Sequence, residues 1–388
     1  EERVIGFMLE FGKGLGLETF KDEVGNVVIR KPATKGMENR KTVTLQSHLD
    51  MVHQKNADTE FDFDNQGIAM EVTGDWVKAM GTTLGADNGM GVATIMSLLQ
   101  AEDIPHPPLE ALFTIDEETG MTGAKGLEPA VLQGEILLNL DTEEDDEIDI
   151  GCAGGIDITA QGEYTEVPLS PGQIAYGLTV KGLNGGHSGM DIHKGLGNAN
   201  KIMNRLLYNA MDQFSVSLAE ISGGGLRNAI PRESTAVIVV EEKRDKDFAA
   251  KFKEWTSDIK MELGPLEPGL VISLENTGLP QKVMELEAFE RLVQALYGAH
   301  NGVFRMSPAI AGLVETSNNI ANVTVKDGQL KIGCLTRSAV ESSKMDLAHS
   351  LKSVFGLAGY RVTFSGSYPG WSPNPDSEIL EVLKERYE

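Results

Sequence analysis

The sequence predicts an α/β protein in which a mainly parallel sheet lies between helices, joined to a second domain of α+β character. Three observations carry this expectation. At 388 residues the chain exceeds the size at which one hydrophobic core usually stops growing, so two domains are expected. Up to about residue 150, short apolar strand-like runs alternate with segments of helical periodicity, the signature of βαβ units. From about residue 156 the runs alternate polar with apolar residues, as strands do when one face of their sheet is solvated.

In order, the opening EERVIGFMLEFGKGLGLE has the periodicity of an amphipathic helix and not the layout of a signal peptide. NVVIRKPA and KTVTLQSHLDMV follow as strands, GMGVATIMSLLQAE as a helix, and LEALFTIDEE and EILLNLDTEE as strands. Within the last two, ALFTI and ILLNL are apolar throughout, which predicts central strands covered on both faces. The acidic stretch EEDDEIDIG and the glycines of GCAGG mark the crossing into the second domain. There ITAQGEY, AYGLTVKGL, STAVIVVEEK and LVISLENT are the expected strands, and ANKIMNRLLYNAM is a helix among them.

Composition narrows the function. A formal charge of −24, from 58 acidic against 34 basic residues, argues against a surface for nucleic acid or anionic lipid. Two cysteines, Cys152 and Cys334, are too few for a disulfide scaffold and fit a reducing, cytoplasmic setting. No run of eighteen apolar residues is present to span a membrane, and no glycine-rich turn has the P-loop pattern for nucleotide phosphates.

The residues able to do chemistry stand directly after the apolar runs of the first domain: His48 and Asp50, Glu117 and Glu118, and Asp141. In open α/β sheets, ligands bind beyond the carboxyl ends of the strands. His48 and Asp50, one residue apart at a strand end, point the same way, so Asp50 can take the second N–H of a metal-bound imidazole. A surface histidine beside an unrelated aspartate is the competing explanation. Asp87, in GTTLGADNGMGVA, has glycines on both sides that allow close backbone approach to a ligand, yet Asp87 or Asn88 also suits the N-cap of the following helix, and the segment alone favours the cap. Glu117 and Glu118 follow a buried run, a costly place for two carboxylates without cations; one can bind metal while the other acts as general base, or the pair is a solvated loop edge. Together His48, Asp87, Glu118 and Asp141, supported by Asp50 and Glu117, offer one imidazole and several hard oxygens, a set suited to Zn²⁺ or Mn²⁺ in a two-metal hydrolase. In the second domain His187, in the glycine-rich turn KGLNGGHSG, Asn228, in LRNAIPRE, and Arg337, in IGCLTRSA, are further candidates, because a guanidinium fork matches a carboxylate. Each taken alone is more readily structural.

With these residues assembled, the chain resembles the di-zinc carboxypeptidase and aminoacylase metallopeptidase family, in its aminoacyl-histidine dipeptidase branch, over essentially its whole length. The motifs SHLDMVHQK, GTTLGADNGMG, DEETGMTGA, NLDTEE, GCAGGID, KGLNGGHSG, GNANK, LRNAIPRE, VETSNN and YPGW carry the resemblance, in that branch's order and spacing. It implies a zinc-peptidase-like catalytic domain at 1–155 that resumes at 368–388, with an α+β lid inserted at 156–367. It also implies His48 and Asp141 on one metal, Glu118 on the other, Asp87 bridging both, Asp50 orienting His48, and Glu117 as general base and acid. His187, Asn228 and Arg337 would close over the substrate, polarising its carbonyl and holding its carboxylate. The implied activity is hydrolysis of dipeptides, preferentially Xaa-His such as β-alanyl-histidine, by water activated between two divalent ions, zinc with manganese or cobalt as alternatives. Small dipeptides are the implied partners, and a homodimer formed by sheet extension is left open. Another deacylase or tripeptidase of the family, or a catalytically lapsed peptide-binding protein, are the competing readings. The family completes its second metal with a histidine near the C-terminus, whereas here no histidine follows His349, and His300 and His349 stand in helix-like segments. The chain stops inside the helical pattern SEILEVLKERYE, which leads to the expectation of a missing C-terminal portion and a short missing N-terminal one.

Overall fold

In the computed structural model, which describes residues 2–56, 59–142 and 147–387, the chain folds as two compact units. The first comprises residues 1–149 and 381–388, the second residues 150–380. The units part at 149/150 and 380/381, outside the 155 and 367 read from sequence. The cause is local pairing: Cys152 and Trp371 exchange backbone hydrogen bonds of 2.9 and 2.8 Å, so the residues just before 155 and just after 367 pack with the second unit. The EEDD of the acidic crossing lies outside the described residues.

The first unit runs α1 (Glu2–Gly14), β1 (Glu18–Lys21), β2 (Val27–Lys31), β3 (Val43–His48), β4 (Met70–Thr73), β5 (Trp76–Ala79), α2 (Ala86–Gln100), β6 (Leu109–Thr114), α3 (Thr122–Lys125) and β7 (Ile136–Asn139). Its five-stranded sheet has the order β1-β2-β6-β3-β7. The strands β6, β3 and β7 are parallel, while β2 pairs antiparallel with β6 and β1 antiparallel with β2, so the sheet is mixed. One face buries Val27, Ile29, Leu45, Ala111 and Phe113 against Ile5 and Met8 of α1 and Ile95 and Leu99 of α2. The period of two on the strands and of three to four on the helices produces this single cluster. The other face is crossed near Glu110 by the turn at residues 131–134. ALFTI occupies the sheet centre with all six residues of β6 buried. ILLNL does not: β7 pairs with β3 alone among the described residues, and Leu137 is 54% exposed. An apolar run cannot by itself distinguish a covered strand from one with a single neighbour.

The second unit holds β8 (Gly154–Glu163), β9 (Glu166–Pro168), β10 (Gln173–Lys181), α4 (Ala199–Phe214), β11 (Ser217–Gly224), β12 (Ser234–Glu241), α5 (Asp245–Leu263), β13 (Val271–Thr277), β14 (Lys282–Met284), α6 (Leu286–Gly298), β15 (Gly302–Met306), β16 (Val314–Lys326), β17 (Gln329–Ser338), α7 (Glu341–Leu357) and β18 (Arg361–Tyr368). The last helix, α8 (Glu378–Tyr387), belongs to the first unit from residue 381 onward. Nine strands form one antiparallel sheet of order β13-β10-β12-β11-β16-β17-β8-β18, with β15 also on β16. Alternate residues such as Ile158, Leu178, Ile238, Val323 and Ile332 meet Leu206 of α4, Phe248 of α5, Phe289 of α6 and Leu351 of α7 in one large core. Four helices therefore cover a single face, as the alternating texture predicts. His349 is on α7, while His300 lies just past α6 with its ring edge-on to Phe304. Among the described residues no helix is long and apolar enough to cross a membrane.

At the amino end of the parallel strands, Glu110 is buried, 1% exposed, and takes hydrogen bonds from Arg30 (3.0 Å), Thr44 (2.9 Å) and the backbone of Gln133 (2.9 Å). Burial alone would raise its pKa, but these donors hold it below the ordinary 4.5. Removing Arg30 leaves a buried carboxylate short of its cation, so Arg30→Ala should destabilise the first unit by roughly 3 kcal/mol in denaturant unfolding at neutral pH. A lowered carboxyl pKa contributes stability above 4.5 that fades as pH falls through the folded value, so the difference between the two proteins should shrink on acidification.

Candidate metal centre

The carboxyl ends of β3, β6 and β7 lie side by side, because the parallel register aligns His48 with Thr114 and Gln46 with Asn139. Each strand then runs into a turn carrying acidic groups. His48 ends β3 with its side chain 1% exposed. Its Nδ1 lies 3.1 Å from the backbone oxygen of Asp50 and 3.4 Å from that residue's carboxylate. Its Nε2 faces Asp87 Oδ1 at 3.1 Å and Asp141 Oδ1 at 3.6 Å.

After β6 the chain turns at Asp116, which has φ 54°, and the Asp116 carboxylate accepts the hydroxyls of Thr119 and Thr122. Aspartate tolerates this left-handed conformation better than most side chains. The turn presents Glu117 and Glu118, whose backbone N–H groups each donate 3.0 Å hydrogen bonds to the two oxygens of Asp50. Asp50 thus ties the end of β3 to the loop after β6. Asp87 and Asn88 have non-helical dihedrals at the head of α2, so Asp87 does not cap the helix through its side chain but directs it toward His48. Asn88, buried, donates to the Leu140 carbonyl at 2.8 Å and to Asp141 Oδ1 at 2.7 Å, while the Asp141 N–H donates to Asn139 Oδ1.

Six predicted residues, His48, Asp50, Asp87, Glu117, Glu118 and Asp141, therefore meet at one end of one sheet. Two overlapping sets, His48 with Asp87 and Asp141, and His48 with Glu117 and Glu118, have ligand atoms within 4.8 Å of one another. Among the described residues no lysine or arginine forms an ion pair with Asp87, Glu117, Glu118 or Asp141. One imidazole among crowded hard oxygens fits divalent cations such as zinc or manganese, and the excess negative charge calls for them.

The protonation of these groups reflects the crowding. Burial works against a charged His48, but the hydrogen bond and charge of Asp141, with Asp87 and Asp50, prevail and push the ring up to about 9. Burial raises Glu117, with His48 opposing and Asp141, Glu118 and Asp50 adding to the rise. Burial also raises Glu118, helped by the charge of Asp87. The hydrogen bond from His48 holds Asp141 below its ordinary value, against its burial.

The remaining three candidates are in the second unit. His187 Nδ1 accepts from the Met190 N–H at 3.2 Å, and Nε2 lies 3.3 Å from a terminal nitrogen of Arg337. Burial, and then the Arg337 charge, lower the His187 pKa. Arg337 also donates to the Tyr368 hydroxyl at 3.0 Å. Asn228 is exposed; its carbonyl accepts from Ser188 N–H at 2.7 Å, which attaches the LRNAIPRE segment to the His187 turn. Arg227, passed over in the sequence, fixes that segment to the sheet through the carbonyls of Ile158 and Cys334 and the Thr159 hydroxyl.

A model described as a peptidase dimerisation domain, of the M20 group, matches residues 178–267. Across its whole length the chain is 42% identical to the Escherichia coli cytosol non-specific dipeptidase, covering 80% of that protein. It belongs to the M20 peptidase family. The crystal structure of aminoacylhistidine dipeptidase from Vibrio alginolyticus superposes on this M20 peptidase with a TM-score of 0.94 at 44% identity, over 99% of this chain and 79% of that one. A Staphylococcus aureus tripeptidase, 16% identical with a TM-score of 0.50 over 99% of this chain and 75% of its own, shares the fold. The M20 peptidase sheet end is where the six clustered residues lie.

In the cation-free protein the raised His48 pKa has a signed consequence. A histidine raised from 6.5 to about 9 contributes stability fully below 6.5 and loses it as pH rises through 9. Chelator-treated protein should therefore show a falling denaturation midpoint across that window, and His48→Gln should flatten it.

Proposed function

We propose that this M20 peptidase is a metallo-dipeptidase whose first unit carries the catalytic centre and whose second unit carries the residues that recognise substrate. The convergence of His48, Asp87, Glu118 and Asp141 at the carboxyl ends of three parallel strands is the observation that carries the reading. His48 and Asp141 would hold one divalent ion, Glu118 the other, and Asp87 both, with zinc the preferred metal and manganese or cobalt as alternatives. Bound there, the ions supply polarisation of the scissile carbonyl and a lowered pKa for water.

Glu117 does the proton work in this scheme. Its pKa, raised by burial and neighbouring carboxylates, moves it toward the range in which a carboxylate can both accept a proton and return it. It takes the proton of the attacking water and delivers it to the leaving amine. Asp50 holds the Glu117 and Glu118 backbone in place and orients His48, so the base and the ligands share one support. In the second unit Arg337 would bind the free carboxylate of the substrate, with His187 and Asn228 as further substrate-binding residues.

Xaa-His dipeptides such as β-alanyl-histidine are the proposed preferred substrates, supported by the name of the Vibrio alginolyticus relative, while the name of the Escherichia coli relative points to a wider range. The matched dimerisation model supports a homodimer, and the cytosolic name of that relative supports a cytoplasmic setting.

The test is hydrolysis of β-alanyl-histidine beside an N-acetyl amino acid, with metal content measured on the same samples. The expected result is two metals per chain, turnover of the dipeptide over the acyl substrate, and a fall in kcat of at least ~100-fold in Glu117→Gln with metal content unchanged. Preferential cleavage of the acyl substrate would move the protein to the deacylases, and unchanged kcat in Glu117→Gln would remove the base.

A further inference from the structure

Arg337 on β17 is opposite Gly155 on β8, and Gly155 is in turn opposite Tyr368 on β18. Three residues in register across adjacent antiparallel strands project to the same face. The middle one has no side chain. A Cβ placed on Gly155 would come within 2.7 Å of the Tyr368 ring, so the tyrosine leans across the gap that the glycine leaves and its hydroxyl reaches the Arg337 guanidinium at 3.0 Å. Gly189 makes a similar allowance from the other side: a Cβ there would sit 3.2 Å from the His187 ring and 3.3 Å from Arg337 Cδ.

Tyr368 is held by more than its ring. A register shift between Ser365 and Tyr368 returns it to pairing with Gly155. Lys344, 0% exposed, gives its ammonium to the Tyr368 carbonyl at 2.6 Å, with Ser367 at 3.3 Å and Glu341 at 2.8 Å. A buried lysine is expensive, and this one is used to fix the strand end at Tyr368. The phenol accepts from Arg337, and among the described residues nothing accepts its own proton. A hydroxyl polarised by a guanidinium is a stronger donor than a free one, and the Arg337 Nε–H is buried without a partner among the described residues.

We propose that Tyr368 is a substrate-binding residue: its hydroxyl proton, beside the Arg337 N–H groups, donates to the free carboxylate of the substrate and sets the preference for peptides with an unblocked C-terminus. The proposal rests on the reading that Arg337 receives that carboxylate. It gives the YPGW and GCAGGID motifs a joint purpose, the first supplying the phenol and the second the glycine that makes room for it.

The experiment compares a dipeptide with its C-terminal amide in the full-length protein, in wild type, Tyr368→Phe and Arg337→Met, with thermal melts for each. Tyr368→Phe removes one oxygen and keeps the ring over Gly155. Its KM for the free-acid dipeptide should rise ~10- to 100-fold, the range for a hydrogen bond to a charged group, with kcat nearly unchanged, an unaltered melt, and no change for the amide. Gly155→Ala, which displaces the ring, should give the same loss of selectivity between acid and amide. If Arg337→Met loses that selectivity while Tyr368→Phe keeps it, the tyrosine has no part in recognition and the proposal fails. If Arg337→Met keeps it, the carboxylate reading fails, and the tyrosine proposal with it.

Discussion

The first unit is organised around a surplus of negative charge beside one buried imidazole. His48 is almost wholly enclosed, and carboxylates approach both of its nitrogens. Such an arrangement is unfavourable unless cations or protons balance it. The surrounding features all serve to keep it assembled: the parallel register that aligns three strand ends, the turn at Asp116 that brings Glu117 and Glu118 back to Asp50, and the Asn88 amide that steadies Asp141. At the opposite end of the same strands Glu110 has its charge answered from within the protein by Arg30. The sheet thus has one end whose electrostatics are internally settled and one end left for ions to settle.

Much of this was legible in the sequence. The period-two runs of the second unit and the apolar strands of the first correspond to the observed elements, because burial of one face imposes the alternation directly. The strand-end positions of His48, Glu117, Glu118 and Asp141 were also visible, since polar groups following a buried run are conspicuous. Asp87 was harder. An aspartate at a helix start looks like a cap, and only the 3.1 Å approach of its Oδ1 to His48 Nε2 shows where its side chain turns. The edge position of ILLNL was not legible, because neighbours along the sheet are decided by pairings far apart in sequence.

The least legible parts were those in which one residue acts by what it lacks or through a backbone group. Nothing in GCAGGID announces that Gly155 makes room for Tyr368, more than two hundred positions later. Asn228 stood out as a side chain, yet the contact the structure gives it is a carbonyl bonded to Ser188. The spacing of Asp50 from His48 suggests a partner for an imidazole, whereas both of its carboxylate oxygens accept from backbone amides. Side-chain chemistry can be read along a sequence, whereas support through the main chain depends on the fold.

The strand order of the second unit also determines the sequence of events as the chain is made. Strand β8 emerges early, but its neighbours are β17, which begins at Gln329, and β18, which begins at Arg361. Until those two strands have been synthesised, an amphipathic strand of ten residues lacks the partners that flank it on either side. Pairings this distant close slowly and leave apolar edges open in the meantime. The strands and helix that lead into the six clustered residues, by contrast, all lie before residue 149, and the five-stranded sheet pairs only strands from that stretch among the described residues. The nascent chain therefore has its acidic cluster ready to assemble well before the sheet bearing Arg337 can close.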